Sequence, residues 1–229
     1  MSHRTYAHAL VTLLFSAALT ACSGSSPSSL EGAPPATQSP SGSSAASASP
    51  AASPSPEAQL LGKKELASAL LSLSEMPAGW SADTGGNSST NKTFCDYKQP
   101  HQAKVTVSGN FQKGAGVAGS IAAVGLRQYA SVDDAADAFD ALEQALKTCH
   151  KETFEGSVLN YSAMSVEKLG DRSLGVRVES GGYTLLQQFT LDGPTLINAG
   201  TGGMADVDAD TTALLLRKQV ERYEAAAAR

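Results

Sequence analysis

Apolar positions recur with helical spacing in three segments of the chain. In GKKELASALLSLS they step by three and four and predict an N-terminal helix over 63–73. The segment SVDDAADAFDALEQALKTC predicts a long middle helix capped by Ser131. The segment DADTTALLLRKQVERYEAAAAR predicts a C-terminal helix. The buried stripe predicted for the middle helix is Val132, Ala135, Phe139, Leu142, Leu146 and Cys149. The stripe predicted for the last helix is Ala213, Leu216, Val220, Tyr223 and Ala227.

Alternating apolar and polar positions predict strands between these helices. Two strands, AKVTVSGNFQ and SIAAVGLRQYA, precede the middle helix. Four more follow it, in SVLNYSAMSVEKL, RSLGVRVES, YTLLQQFTLD and PTLINAGTG. The separators SGG and DG favour hairpins, so these four predict an antiparallel meander. The glycines of GTGG, Gly200–Gly203, lack the spacing of a dinucleotide fingerprint and predict a turn.

The order helix, two strands, helix, four strands, helix indicates the fold class. It lacks the regular strand–helix alternation of a parallel sheet. We therefore predict an α+β fold, with one central antiparallel sheet of about six strands. Helices, including an N-terminal and a C-terminal one, are expected to pack against this sheet.

The first residues carry the features of an export signal. Arg4 precedes an apolar run of about ten residues, which is too short to span a bilayer as a helix. The run ends in LTAC, which resembles a bacterial lipobox. By that resemblance, residues 1–21 form a lipoprotein signal peptide, and Cys22 carries a diacylglycerol that anchors the chain in the membrane. The alternative is a simple secretory signal followed by a stray cysteine.

Residues 22–57 predict a disordered tether. After Cys22 this stretch consists almost entirely of Ser, Ala, Pro and Gly, which supply too little apolar surface to offset the entropy of folding. A flexible coil of roughly 35 residues reaches about 30–35 Å. We therefore expect residues 58–229 to form one globular domain on the extracytoplasmic face of the cell membrane.

Charge and motifs argue against several functions. The formal net charge is −5, and it becomes about −6 once Arg4 is removed with the signal, which argues against nucleic acid as a partner. The sequence shows no nucleophile-elbow, Walker or zincin motif. We therefore expect no enzymatic activity, no cofactor and no metal site, with His101 and His150 on the solvated surface.

Two cysteines, Cys95 and Cys149, lie in the predicted domain. An even number of cysteines in an exported domain favours a disulfide, which would close a loop of about 54 residues. A metal site and a catalytic thiol are the alternatives. Cys149 falls on the buried stripe of the middle helix, which favours a structural role.

Polar residues occupy several predicted strand positions. Beside apolar neighbours, such groups are able to line a ligand cleft, although they also fit the ordinary solvent face of a sheet. The candidate ligand-binding residues are Arg127, Tyr129, Arg177 and Gln187.

Several segments together resemble a known family. The lipobox, the Ser/Pro-rich tether, LLSLSEMPAGW and RQYASVDDAADAFDALEQALKTC are similar to actinobacterial sensor-domain lipoproteins. These are related to the PknH-like extracellular sensor domain of membrane serine/threonine kinases. The resemblance implies a central antiparallel sheet, a cleft and the binding of an extracellular ligand. Kinase-attached members carry two disulfides, whereas this domain has cysteines for one.

The sequence therefore favours a membrane-anchored, sensor-like lipoprotein. We expect it to bind a small ligand or a component of the cell envelope. The alternative is an envelope lipoprotein that docks another protein and has no small-molecule site.

Overall fold

The computed structural model describes residues 60–83, 93–115, 119–204 and 207–229. The predicted signal peptide, Cys22 and the tether lie outside these ranges. The helices are α1 (Lys63–Ser68), α2 (Val132–Thr148) and α3 (Ala209–Ala227), with 3-10 turns at Leu73–Glu75 and Phe94–Asp96. The strands are β1 (Trp80–Ala82), β2 (Val105–Lys113), β3 (Ser120–Gln128), β4 (Lys151–Phe154), β5 (Ser157–Ala163), β6 (Arg172–Ser180), β7 (Tyr183–Asp192) and β8 (Thr195–Gly203).

All eight strands join one antiparallel sheet. Its order is β1-β2-β3-β8-β7-β6-β5-β4. The hairpin of β2 and β3 leads into α2, which carries the chain to the far edge of the sheet. From β4 the chain returns strand by strand, and β8 closes the sheet by pairing with β3, with Gly125 opposite Asn198. The predicted α+β class and the meander of the last four strands are confirmed.

The sheet has eight strands where the pattern predicted about six. The two additional strands, β1 and β4, are the edges, and they have three and four residues. Segments this short do not complete a recognisable alternation, and their pairing partners define them. The predicted turn at Gly200–Gly203 is wrong, because these glycines end strand β8 between β3 and β7.

Helices cover both faces of the sheet. We call the side that packs against α2 the α2 face, and the side that packs against α1 and α3 the α3 face. The α2-face core includes Tyr129, Phe139, Leu142, Tyr161, Leu185 and Phe189. The α3-face core includes Leu66, Val124, Leu126, Ile197, Leu215 and Leu216. Strand alternation therefore assigns every strand residue to one of these two faces.

The predicted helices are present, but their bounds and stripes differ in part. Helix α1 ends at Ser68 rather than Leu73, because the side chain of Gln219 bonds the backbone of Ala69 and Leu71 in place of a further helical turn. Val132 is 45% exposed because it lies in the first turn of α2, directly after the Ser131 cap. The residues that α3 buries are Thr212, Leu215, Leu216, Gln219, Val220 and Tyr223.

Two buried glutamines attach the N-terminal segment to the α3 face. Gln128 accepts a hydrogen bond from the Leu61 amide (2.8 Å) and donates to the Leu61 carbonyl (2.7 Å). Gln219 accepts from the Leu71 amide (3.0 Å) and donates to the Ala69 carbonyl (2.8 Å). Both ends of each amide are therefore paired, as buried polar groups require.

Within the described ranges, no helix is both long enough and apolar enough to cross a membrane.

Candidate ligand site on the α2 face

Three glycines on the α2 face lie beneath polar side chains of neighbouring strands. A Cβ added at Gly125 would lie 2.7 Å from Asn198 Oδ1. At Gly200 it would lie 3.2 Å from Gln187 Cγ, and at Gly202 it would lie 2.5 Å from the Tyr183 hydroxyl oxygen. The separations at Gly125 and Gly202 are too short for a Cβ unless the polar side chain moves, and the one at Gly200 is tight. The glycines therefore allow three polar side chains to lie across the middle of the sheet. Two of them, Gly200 and Gly202, belong to the segment for which the sequence predicted a turn.

The three polar side chains are buried and lack hydrogen-bond partners. Gln187 is 1% exposed, Asn198 5% and Tyr183 7%. Gln187 Oε1, Asn198 Nδ2 and the Tyr183 hydroxyl have no partner. An unpaired buried polar atom costs about 1–3 kcal/mol. Because buried polar atoms are normally paired with protein, water or a ligand, this cluster is a candidate binding site.

The segment 93–99 lies over the same face. The disulfide between Cys95 and Cys149 fixes it to the end of α2, with a Cα–Cα distance of 6.0 Å. Phe94 packs edge-on against Tyr161 and Phe189. Cys95 and Asp96 both have positive φ angles, 43° and 57°. Backbone in this region is costly for residues other than glycine, and the disulfide and the Phe94 contacts hold it in place.

The residues after this segment's turn bring further polar groups to the site. Gln99 Nε2 donates to the Tyr129 hydroxyl at 3.3 Å, while Gln99 Oε1 is buried without a partner. Gln99 also lies beside the Tyr97 hydroxyl, where its amide opposes the effect of burial on the pKa of Tyr97. Burial raises the pKa of Tyr97 to about 12, and the neighbouring Tyr129 adds to the rise. Burial also raises the pKa of Tyr129, against the lowering effect of nearby Arg127. Both phenols therefore stay protonated and neutral at physiological pH.

Burial also raises the pKa of Tyr183, so its hydroxyl is neutral as well. Arg127 lies two residues from Gly125 on the same face of β3, since side chains alternate along a strand. It is partly exposed, and it borders the end of the site near Tyr129. Among the described residues, the site therefore combines neutral hydrogen-bonding groups with a cation at one end.

The α2 face becomes more accessible towards β2. Thr106, Ser108 and Gln112 lie on this face, opposite Arg127, Gly125 and Ile121, and all three are exposed. On β8 and β7 the same face is buried. The face therefore runs from exposed polar residues on β2 to the buried cluster on β7 and β8.

The structure brings three of the four sequence candidates to one face. Arg127, Tyr129 and Gln187 lie on the α2 face. Arg177 lies on the opposite face, because it pairs with Leu186 across the strand rather than with Gln187. It is exposed and bonded to Glu179. Arg177 is therefore separate from the cluster.

The sequence pattern did not identify Tyr97, Gln99 or Tyr183 as site residues. It also did not indicate the roles of the three glycines. Tyr97 and Gln99 lie in an irregular segment whose position depends on the disulfide. The GTGG motif was the available signal. Alternate glycines inside a strand indicate that something approaches the backbone closely.

The two histidines of the domain lie outside this site. His101, expected on the solvated surface, is partly exposed and lies 3.0 Å from Asp137 and 3.6 Å from Asp134 on α2. His150 is exposed. No group of three or more His, Cys, Asp or Glu side chains with metal-binding geometry occurs in the part of the chain that the structure describes.

Comparison with known proteins gives a structural match and no sequence match. No family model and no curated protein matches the chain. Among solved structures, the extracellular domain of PknH from Mycobacterium tuberculosis matches with a TM-score of 0.52 and 10% sequence identity. The match covers 73% of this chain and 99% of that domain. At this identity the similarity shows a shared fold, and the predicted PknH-like fold is confirmed.

Proposed function

We propose that this chain is a lipid-anchored, extracytoplasmic lipoprotein whose sensor-like domain binds a small polar ligand on the α2 face. The observation that carries the proposal is the set of buried, unpaired atoms of Asn198, Gln187 and Tyr183 above three glycines. A stable fold gains nothing from leaving these atoms unpaired, whereas a ligand that pairs them recovers their desolvation cost on binding.

The location rests on the sequence and on the fold comparison. The lipobox ending at Cys22 and the tether up to residue 57 favour a domain held at the outer face of the membrane. A disulfide between Cys95 and Cys149 suits an oxidising compartment. The fold is shared with an extracellular domain of PknH. In this proposal the domain recognises its ligand without transforming it, and any signal passes through a partner in the envelope.

Thermal unfolding tests ligand binding. The purified full-length chain is heated with a panel of neutral saccharides, charged saccharides, muropeptides and lipid headgroups. A ligand at a hundred times its Kd adds about 2.7 kcal/mol, which raises the Tm of a domain this size by about 5–10 °C. We expect one class of fragment to produce the rise and Asn198→Leu to reduce it to about half, because a tenfold higher Kd leaves about 1.4 kcal/mol of stabilisation. No rise from any fragment would contradict ligand binding. One dominant partner found by proximity labelling would then favour an envelope-docking lipoprotein.

Mass spectrometry tests the anchor independently. We expect the N-terminal residue of the mature protein to be Cys22, with a mass increase that matches a diacylglycerol and an added acyl chain. Cys22→Ser is expected to release the protein from the membrane fraction. An unmodified Cys22 in membrane-purified protein would contradict lipid anchoring and would leave the ligand site unaffected.

A further inference from the structure

We propose that the ligand of the α2-face site is an uncharged molecule rich in hydroxyl groups, which is the chemistry of a carbohydrate. This inference rests on the proposed function and adds the class of ligand. It follows from the kinds of atoms that are left unpaired, from the charges around them and from the packing that surrounds them.

The unpaired atoms include both donors and acceptors. Asn198 Nδ2 is a donor, Gln187 Oε1 and Gln99 Oε1 are acceptors, and the hydroxyl of Tyr183 acts as either. A hydroxyl group donates one hydrogen bond and accepts others, so neighbouring hydroxyls on one ligand satisfy all of these atoms. Rotation of a side-chain amide exchanges its oxygen and its nitrogen. A ligand hydroxyl still pairs with the rotated amide, because the hydroxyl is able to donate or to accept.

Charged ligands fit this inventory less well. In the amide orientations of the structure, a carboxylate or phosphate, which only accepts hydrogen bonds, leaves Gln187 Oε1 and Gln99 Oε1 facing like atoms. An ammonium group only donates, so it leaves Asn198 Nδ2 unpaired and approaches Arg127, a charge of the same sign at the border of the site. The tyrosines stay neutral and supply no counter-charge for a buried cation.

The packing around the unpaired atoms favours a compact ligand. The polar side chains themselves cover Gly125, Gly200 and Gly202, so the backbone beneath them is not open to a ligand. Tyr129 is fully buried, so its ring face is not open either. A ligand therefore meets the unpaired polar atoms rather than the backbone or the rings, which suits a single sugar ring better than a larger molecule.

Saturation-transfer NMR on the full-length protein tests the class of ligand. The probes are glucose, galactose, mannose and N-acetylglucosamine, with glucuronate and glucosamine as the anionic and cationic counterparts of glucose. We expect transfer to at least one neutral sugar and weaker transfer to both charged counterparts. Gln187→Leu and Asn198→Leu are each expected to raise the Kd about tenfold, which is the loss of about one hydrogen bond.

Two further variants complete the design. Gln144 is exposed on α2, so Gln144→Leu applies the same substitution outside the site and is expected to leave the Kd unchanged. Asn198→Ala replaces Asn198→Leu if the unfolding midpoint shows that leucine is too large for the space above Gly125.

The outcomes separate the ligand class from the proposed function. Preferential binding of glucuronate or glucosamine, weakened by Gln187→Leu, would overturn the hydroxyl-rich class and retain a ligand site on the α2 face. A thermal shift from a muropeptide or headgroup alone, reduced in Asn198→Leu, would likewise overturn the hydroxyl-rich class and retain the site. Neutral-sugar binding that neither variant weakens would overturn the location. If no probe binds in the thermal-unfolding or the NMR experiment, both the ligand site and the hydroxyl-rich class of ligand are overturned.

Discussion

The two faces of the sheet use the same amide side chain in opposite ways. On the α3 face, Gln219 is fully buried, and both ends of its amide are bonded to the backbone of the N-terminal segment. On the α2 face, Gln187 is buried to nearly the same degree, and its Oε1 has no partner. Burial alone therefore does not reveal whether a polar residue stabilises the fold. The hydrogen-bond partners of its atoms decide this, because a buried paired amide stabilises the fold and a buried unpaired amide destabilises it.

The remaining polar contacts limit this contrast to the centre of the sheet. On the α3 face, the Thr201 and Thr212 hydroxyls bond each other at 2.5 Å, and Arg222 bonds both carboxylate oxygens of Glu75 at 2.8 Å. On the α2 face, Arg172 of β6 pairs with Asp140 and Glu143 of α2 and lies 4.5 Å above the Phe139 ring. Polar contacts therefore join helices to the sheet on both faces. We infer that the α2 face is adapted to binding because its central polar cluster is unpaired.

The largest expected effect comes from removing the disulfide, which braces the α2 face. Cys95→Ala together with Cys149→Ala frees a loop closed over a sequence separation of 54. The chain-entropy model predicts a loss of about 4 kcal/mol in the free energy of unfolding. Urea denaturation measures it, with the dithiothreitol-treated wild type as the control. In the variant, amide hydrogen exchange is expected to accelerate more in segment 93–99 than in strand β8. Uniform acceleration across both faces would contradict the separate bracing of the α2 face.

The next largest effect is expected for Gln219→Leu. The substitution keeps most of the side-chain volume, but it leaves the Leu71 amide buried without a partner and the Ala69 carbonyl with only the 3.4 Å bond from Arg222 Nε. One unpaired amide and one weakened carbonyl bond predict a loss of about 2–3 kcal/mol in the free energy of unfolding. Urea denaturation again provides the measurement, and Gln128→Leu offers a parallel test at Leu61. A loss below about 1 kcal/mol in both variants would show that the paired amides contribute little.

Asp192 is an exception on the α3 face and predicts a pH dependence. Burial raises its pKa to about 6, and the carboxylates of Glu224 and Asp171 add to the rise. Because the folded pKa lies above the unfolded one, ionised Asp192 destabilises the fold above about pH 6. This penalty disappears as the pH falls from 6 towards 4. We expect Asp192→Asn to add about 1 kcal/mol at pH 7.5, after allowance for the group's partial exposure, and almost nothing at pH 4.

The control for this variant is Asp133→Asn. Asp133 is exposed in the first turn of α2, where a carboxylate favours the helix dipole, so its removal is expected to destabilise slightly. Denaturation curves at several pH values compare the two variants. Equal stabilities of Asp192→Asn and wild type at pH 7.5 would contradict an unfavourable buried carboxylate at this position.

The smallest expected effect is for Gln187→Leu, the counterpart of Gln219→Leu on the other face. The substitution removes an unpaired polar atom and breaks no hydrogen bond, so we expect a change within about 0.5 kcal/mol, or a slight gain. The same urea experiment compares both variants directly. A loss as large as that of Gln219→Leu would show that Gln187 has a structural role and would remove the contrast between the faces.

The sequence predicted the parts of the fold that depend on local pattern. The 3.6-residue spacing located α2 and α3, and alternation located the six longer strands, because each pattern reflects burial on one side. The edges β1 and β4 are defined by pairing with a neighbour, and three or four residues do not establish a period. The end of α1 depends on Gln219, which lies 148 residues from Leu71 in the sequence.

The site was predictable only in part, for a similar reason. Arg127, Tyr129 and Gln187 stood out as polar residues on strand positions, but the register that sends Arg177 to the opposite face requires the strand pairing. The glycines of GTGG resembled a turn. Their place inside a strand is explained only by the side chains of the neighbouring strand that lie against them, and the sequence does not show those contacts. Tyr97 and Gln99 reach the site through the disulfide-held segment, which has no periodic pattern.

The most direct test of the account follows four side-chain amide resonances by NMR in one titration. Asn198 and Gln187 report on the α2 face, and Gln128 and Gln219 report on the α3 face. As the neutral sugar with the strongest saturation transfer is added, we expect the first pair to shift and its hydrogen exchange to slow. The second pair is expected to stay unchanged, because its hydrogen bonds are already complete. Shifts confined to Gln128 and Gln219, or equal in all four amides, would contradict the assignment of binding to the α2 face.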